Sequence, residues 1–219
     1  MDPRQLFATT ASWFVEVIGA LPTPDDDPAL WAAPALGVWD VRALVGHANR
    51  ALLTVAAYLS AEDGLVDSPE VGDDVGDAIG YLRATAGSVA DPDDVAARGV
   101  AAGAALGSAP ATAVALARDG ALAAVDSTGR EARITVVGGL RLPVDEYLRT
   151  RVLELVAHGD DLVRAVAGAG RVVTVAVPEE AVRASCLLLT EVAVRRGDGP
   201  LLLRALSGRG ALPAGYSVL

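Results

Sequence analysis

Lysine is absent from this 219-residue chain, so all 18 basic side chains are arginine. That absence excludes a Walker-type phosphate loop, a pyridoxal Schiff base and any lysine nucleophile or base. Cysteine occurs once, at Cys186, which excludes an internal disulfide and a cysteine-rich metal centre. Its setting in Cys-Leu-Leu-Leu predicts burial among apolar neighbours, so thiol chemistry would need a thiol from outside. Basic residues are outnumbered by 28 acidic ones, for a formal charge of −10. No basic patch of the density that nucleic acid or an anionic membrane requires is available from that balance.

Long apolar runs are also missing. The longest uncharged stretch, Gly99 to Ala117, is nineteen residues of mostly Ala and Gly broken by Pro110. It predicts a tightly packed helix–turn–helix rather than a membrane span. The N-terminus lacks the basic start, apolar core and small-residue cleavage site of a secretory signal. A soluble, cytoplasmic monomer or homodimer is therefore expected.

What is present is a globular composition, 52% hydrophobic with 21% charged, long enough for one domain or one and a half. Phe7, Phe14, Val17, Ile18 and Leu21 recur at helical spacing over 4–21. Asp40 caps a second helix, Val41 to about Leu59, with Val41, Leu44, Val45, Ala48, Leu52 and Val55 facing inward. The proline-rich 22–37 and acidic 60–76 segments read as loops, and helices are predicted near 77–89, 93–105 and 108–125. Arg133–Val137 and Leu140–Leu142 read as a hairpin around Gly138-Gly139.

The longest amphipathic stretch is 143–166, with Leu148, Val152, Leu155, Val163 and Val166 on one side. Beyond Gly170 come a strand-like Val172–Val177, helices at Pro178–Arg196 and Pro200–Ser207, and a short strand at Tyr216–Leu219. The expected architecture is mainly α: a four-helix bundle over 1–168 with a small C-terminal α/β segment, 171–219.

Histidine is scarce too, and its placement is informative. The two histidines, His47 and His158, both border apolar helical stripes, and Glu154 precedes His158 by four residues. That i, i+4 spacing stacks a carboxylate and an imidazole one turn apart on one face. Such a pair also serves as a half-buried hydrogen bond, and a single histidine beside a core is commonly no more than that. Together, two imidazoles and one carboxylate match the three-ligand set of a catalytic zinc site with its fourth position open. If His47 is a ligand, Thr54 and Tyr58 follow on its angular line and would border the pocket. Asp161, at i+3 from His158, is placed to orient it or to face solvent. Arg151 could grip a substrate carboxylate as a fork or sit in an ion pair; Arg209, between glycines, could reach the site or remain a solvated loop residue.

Three stretches together resemble one family. Trp39-Asp-Val-Arg-Ala-Leu-Val-Gly-His47 resembles the first signature of the mycothiol-dependent maleylpyruvate isomerase family, a branch of the DinB-like metalloenzymes. Val137-Gly-Gly-Leu-Arg-Leu-Pro143, running into Tyr147 and on through Glu154-Leu-Val-Ala-His158-Gly-Asp-Asp161, resembles the second. Leu203-Arg-Ala-Leu-Ser-Gly-Arg209 is similar to the C-terminal end of shorter actinobacterial members.

The resemblance implies a DinB-like four-helix bundle with zinc, or another divalent ion, on His47, Glu154 and His158. Asp161 matches the family's aspartate one turn beyond the last ligand. The resemblance further implies mycothiol as co-substrate, activated as thiolate for attack on a small-molecule electrophile, in an isomerase or S-transferase. A metal- or ligand-binding bundle without turnover, and a hydrolase using metal-bound water, stand as the other two functions such a chain could have.

Overall fold

The computed structural model describes residues 1–60, 73–86 and 92–219. Helix α1, Pro3–Gly19, starts where Asp2 accepts the Arg4 N–H and proline occupies the first turn, a position that needs no donor. After it come a single helical turn, α2, Pro28–Trp31, and a small antiparallel pair, β1, Pro34–Leu36, with β2, Trp39–Asp40. The segment expected to be a plain loop thus contains ordered pieces. Trp31 closes it, buried and donating from Nε1 to the Pro22 carbonyl at 2.8 Å.

Helix α3, Val41–Ser60, is capped by Asp40, whose carboxylate accepts the Ala43 N–H at 2.8 Å. All six residues expected to face inward are buried. The acidic loop expected at 60–76 lies mostly outside the described residues, as does the end of the helix expected at 77–89. The described part of that helix is α4, Ala78–Thr85. Helices α5, Pro92–Ala105, and α6, Pro110–Asp126, meet at a bend of 105°, which makes the long uncharged run a helix–turn–helix. Among the described residues no single helix is long and apolar enough to cross a membrane.

The hairpin is shorter than expected. Strands β3, Arg133–Thr135, and β4, Arg141–Pro143, flank a 3-10 turn at Val137–Gly139, where Gly138 takes a left-handed φ of 76°. Helix α7, Val144–Gly168, follows directly and has Asp145 and Glu146 in its first turn, against the positive end of the helix dipole.

Helices α1, α3, α6 and α7 form the bundle: α3 packs on α6 and α7, and α1 on the same two. A fifth helix, α5, lies along α3. The fold is mainly α and DinB-like, as expected.

Helices α8, Glu179–Arg196, and α9, Gly199–Leu206, complete the chain. Helix α8 packs on α7 and α4, and its Ala181, Leu188 and Val192 join the common core. Two expectations fail here. Neither 172–177 nor 216–219 is paired in a sheet. Val173 and Val175 pack against the core as alternation predicts, but among the described residues no strand pairs with them to complete a ladder. Cys186 is exposed rather than buried, because the inward stripe of α8 runs through Ala181, Ser185, Leu188 and Val192 and turns Cys186 outward.

Candidate metal centre

Helix α3 packs against α7, and polar side chains of the two meet along that contact. Helix α3 carries His47, Thr54 and Tyr58; α7 carries Tyr147, Arg151, Glu154 and His158. One nitrogen from each imidazole and one Glu154 oxygen lie within 4.8 Å of one another. The two imidazoles stand edge-on, with centroids 4.8 Å apart and planes at 85°. His158 Nε2 is 3.3 Å from Glu154 Oε2. On its other side Asp161 Oδ2 approaches His158 Nδ1 to 3.4 Å, within reach of charge attraction but not aligned as a hydrogen bond.

Charge is arranged for cation binding. Burial pushes the His47 pKa down to about 4, with the His158 and Arg50 charges acting in the same direction. His47 is therefore a neutral donor at ordinary pH. Burial would raise the Glu154 carboxyl, but His158 and Arg151 outweigh it and hold the carboxyl at about 2. Burial likewise opposes a charge on His158, yet contact with Glu154 raises its pKa above the usual histidine range. A cation arriving at the three donors competes with the proton that Glu154 favours on His158 and meets the negative charge of Glu154.

A cavity of about 380 Å³ opens beside these donors, bordered by His47, Thr54, Tyr58, Arg151 and Glu154 among others. Arg151 is only 9% exposed; its guanidinium lies 4.7 Å from the Tyr147 ring centroid and 5.9 Å from that of Tyr81. Stacking on aromatic faces lets a buried guanidinium stay charged without a carboxylate. Its Nε donates to Thr150 Oγ1 at 3.1 Å. Tyr147 is buried, its pKa pushed up to about 12 mainly by that burial, and so remains a phenol. It donates to Thr54 Oγ1 at 3.0 Å, and Thr54 donates to the Arg50 carbonyl at 2.8 Å, tying α7 to α3 across the cavity.

The structure thus brings together His47, Glu154, His158 and Asp161, with Thr54, Tyr58 and Arg151 along the cavity. It does not bring Arg209, which is exposed in the tail with Nη1 on the Ser207 carbonyl and lies outside the cavity lining.

Other residues of the site were not singled out from the sequence. Tyr147 and Arg50 were readable in principle, since Tyr147 lies four residues before Arg151 and Arg50 lies three after His47. Tyr81 and Arg98 border the cavity from α4 and α5, and no spacing within one helix announces them.

The residues fit a divalent ion. Three donors of the right types converge, and one is an ionised carboxylate. No curated protein and no solved structure matched the chain when compared. The family model for the mycothiol maleylpyruvate isomerase N-terminal domain matches residues 16–163, well over half of the sequence, and the chain belongs to that family.

Proposed function

We propose that this protein is a divalent-metal-dependent enzyme, zinc being the best match, that uses a low-molecular-weight thiol against a small electrophile. Mycothiol is the thiol that family membership favours. The observation that carries the reading is the convergence of His47, Glu154 and His158 within 4.8 Å beside an open cavity.

In this reading His47, Glu154 and His158 hold the cation. When bound, it would supply the positive charge that favours thiolate over thiol at neutral pH. Asp161 orients His158, and the Tyr147–Thr54 link holds the two ligand-bearing helices at fixed spacing. Arg50, Arg98 and Arg151 border the cavity from three helices, and among the described residues none forms an ion pair with a carboxylate. In a chain of net charge −10 that local excess of cations suits an electrophile bearing a carboxylate. In this reading Arg151 grips that group from within, and the more exposed Arg50 and Arg98 draw it in.

Addition of the thiolate to an activated double bond, rotation and expulsion of the thiolate would give a cis–trans isomerase. Addition or displacement that keeps the sulfur would give an S-transferase. The test incubates zinc-loaded protein with unsaturated carboxylic acids, with mycothiol and with water alone, and follows products by mass spectrometry. Isomer or thioether formed only with thiol is expected. Hydrolysis without thiol would favour a metal-water enzyme instead, and no product under either condition would favour a binding protein.

A further inference from the structure

We propose that Trp39 is a positioning residue for His47: its indole, clamped between helix α5 and the imidazole, sets the plane in which His47 presents its nitrogen. The consequence for metal affinity rests on the metal-centre reading above; the placement of the ring does not.

The two imidazoles are held by different means. Histidine ligands are usually oriented by a hydrogen bond from the second ring nitrogen. His158 has carboxylates on both sides, Glu154 at 3.3 Å and Asp161 at 3.4 Å. His47 has no such neighbour: among the described residues no carboxylate comes within ion-pair distance of its ring. Packing must fix its ring; the His158 ring meets it only edge-on at 4.8 Å, and the ring laid over it is that of Trp39. The ring centroids are 4.3 Å apart with planes tilted by 34°.

Trp39 is itself immobilised from behind. It is 8% exposed, and its Nε1 donates to the Ala96 carbonyl of α5 at 3.0 Å. The indole abuts the α5 backbone at Gly99, where an added Cβ would fall 2.5 Å from Cε2 and 2.6 Å from Nε1. One turn on, Gly103 meets Gly46, the neighbour of His47: a Cβ on Gly46 would lie 2.1 Å from the Gly103 nitrogen. Two glycines of α5 thus let that helix reach the α3 backbone and press the indole against the imidazole. A hydrogen bond sets an imidazole by direction; here a stacked ring sets it by excluding every other plane.

The test uses the full chain and cobalt(II) as probe. Trp39→Leu removes the stack, Trp39→Phe keeps an aromatic face, and Trp31→Leu is the control for losing a buried indole elsewhere. Because the sequence has only two histidines, the imidazole ring protons are readily assigned by NMR in metal-free protein. The expectation is an upfield ring-current shift of the His47 ring protons, lost in Trp39→Leu and largely kept in Trp39→Phe. Cobalt affinity should fall roughly tenfold or more in Trp39→Leu, the usual cost of losing an orienting partner. It should stay within about threefold in Trp39→Phe and unchanged in Trp31→Leu.

Unchanged His47 shifts and wild-type cobalt affinity in Trp39→Leu would overturn the proposal, as would an equal loss in Trp31→Leu. If Trp39→Leu does not fold, Gly99→Ala, which pushes the indole off α5, must produce the same two changes or the proposal fails. Should the wild type bind no cobalt, the metal reading falls, while the ring shifts still decide whether Trp39 holds His47.

Discussion

His47 is partly buried beside a second imidazole and near Arg50, and its pKa falls to about 4. The sign of the consequence follows from linkage. In the unfolded chain the group titrates near its ordinary 6.5, so between about 6.5 and 4 the unfolded state holds a proton that the native state refuses. Lowering the pH through that window draws metal-free protein toward unfolding. His158 acts the other way: its pKa is raised, so its contribution is present below the unfolded value and lost as pH rises through the folded one. Comparing metal-free wild type with His47→Gln isolates the first effect. The melting temperature of wild type relative to the variant should fall steadily from pH 6.5 to 4 and stay constant above 7. A difference independent of pH would mean that His47 is not held neutral. The three donors were legible in the sequence because histidine is so rare and Glu154–His158 has helical spacing. Cys186 was misread because a run of apolar residues does not say which face of its helix is buried.

Among the elements, glycines decide how close helices come. Gly159, next to His158, packs under Trp13, with an added Cβ falling 2.3 Å from the ring. Gly46 does the same on α3 against the α5 backbone. Neither contact can yield cheaply, so Gly46→Ala should cost about 1–3 kcal/mol or more by overpacking and weaken metal binding with it. Gly120, exposed on the outer face of α6, has open space around its Cβ position, so Gly120→Ala should instead stabilise by about 0.5–1 kcal/mol. Urea denaturation of the two variants gives both signs in one experiment, and equal effects would refute the assignment of Gly46 to a backbone contact. Helix positions were readable from caps and periodicity. The Val172–Val177 strand was not, since alternation reports a half-buried extended segment whether or not a partner strand exists. Tyr81 and Arg98 were hidden for the related reason that their nearness to His47 depends on how α4 and α5 dock.

For the whole molecule, the cavity sets arginines inside an acidic protein, and the three converging donors come from α3 and α7. A ligand that binds only the native state adds stability by mass action, about 2.7 kcal/mol at a hundred times its Kd. For a chain of this size that corresponds to a melting-temperature rise of roughly 5–10 °C with zinc, reversed by a chelator. No rise would mean that the donors are not joined by an ion. The bundle as a whole was foreseeable, because long amphipathic helices with short connections have few other ways to bury their stripes. The closure of α5 over α3 was not.

The measurement that bears most directly on the central claim is zinc stoichiometry by calorimetric titration of the full chain beside His47→Ala, Glu154→Ala and His158→Ala. One equivalent in the wild type, weakened at least a hundredfold in each of the three variants, is the predicted result. Wild-type binding in any of the variants, or no binding in the wild type, would contradict it.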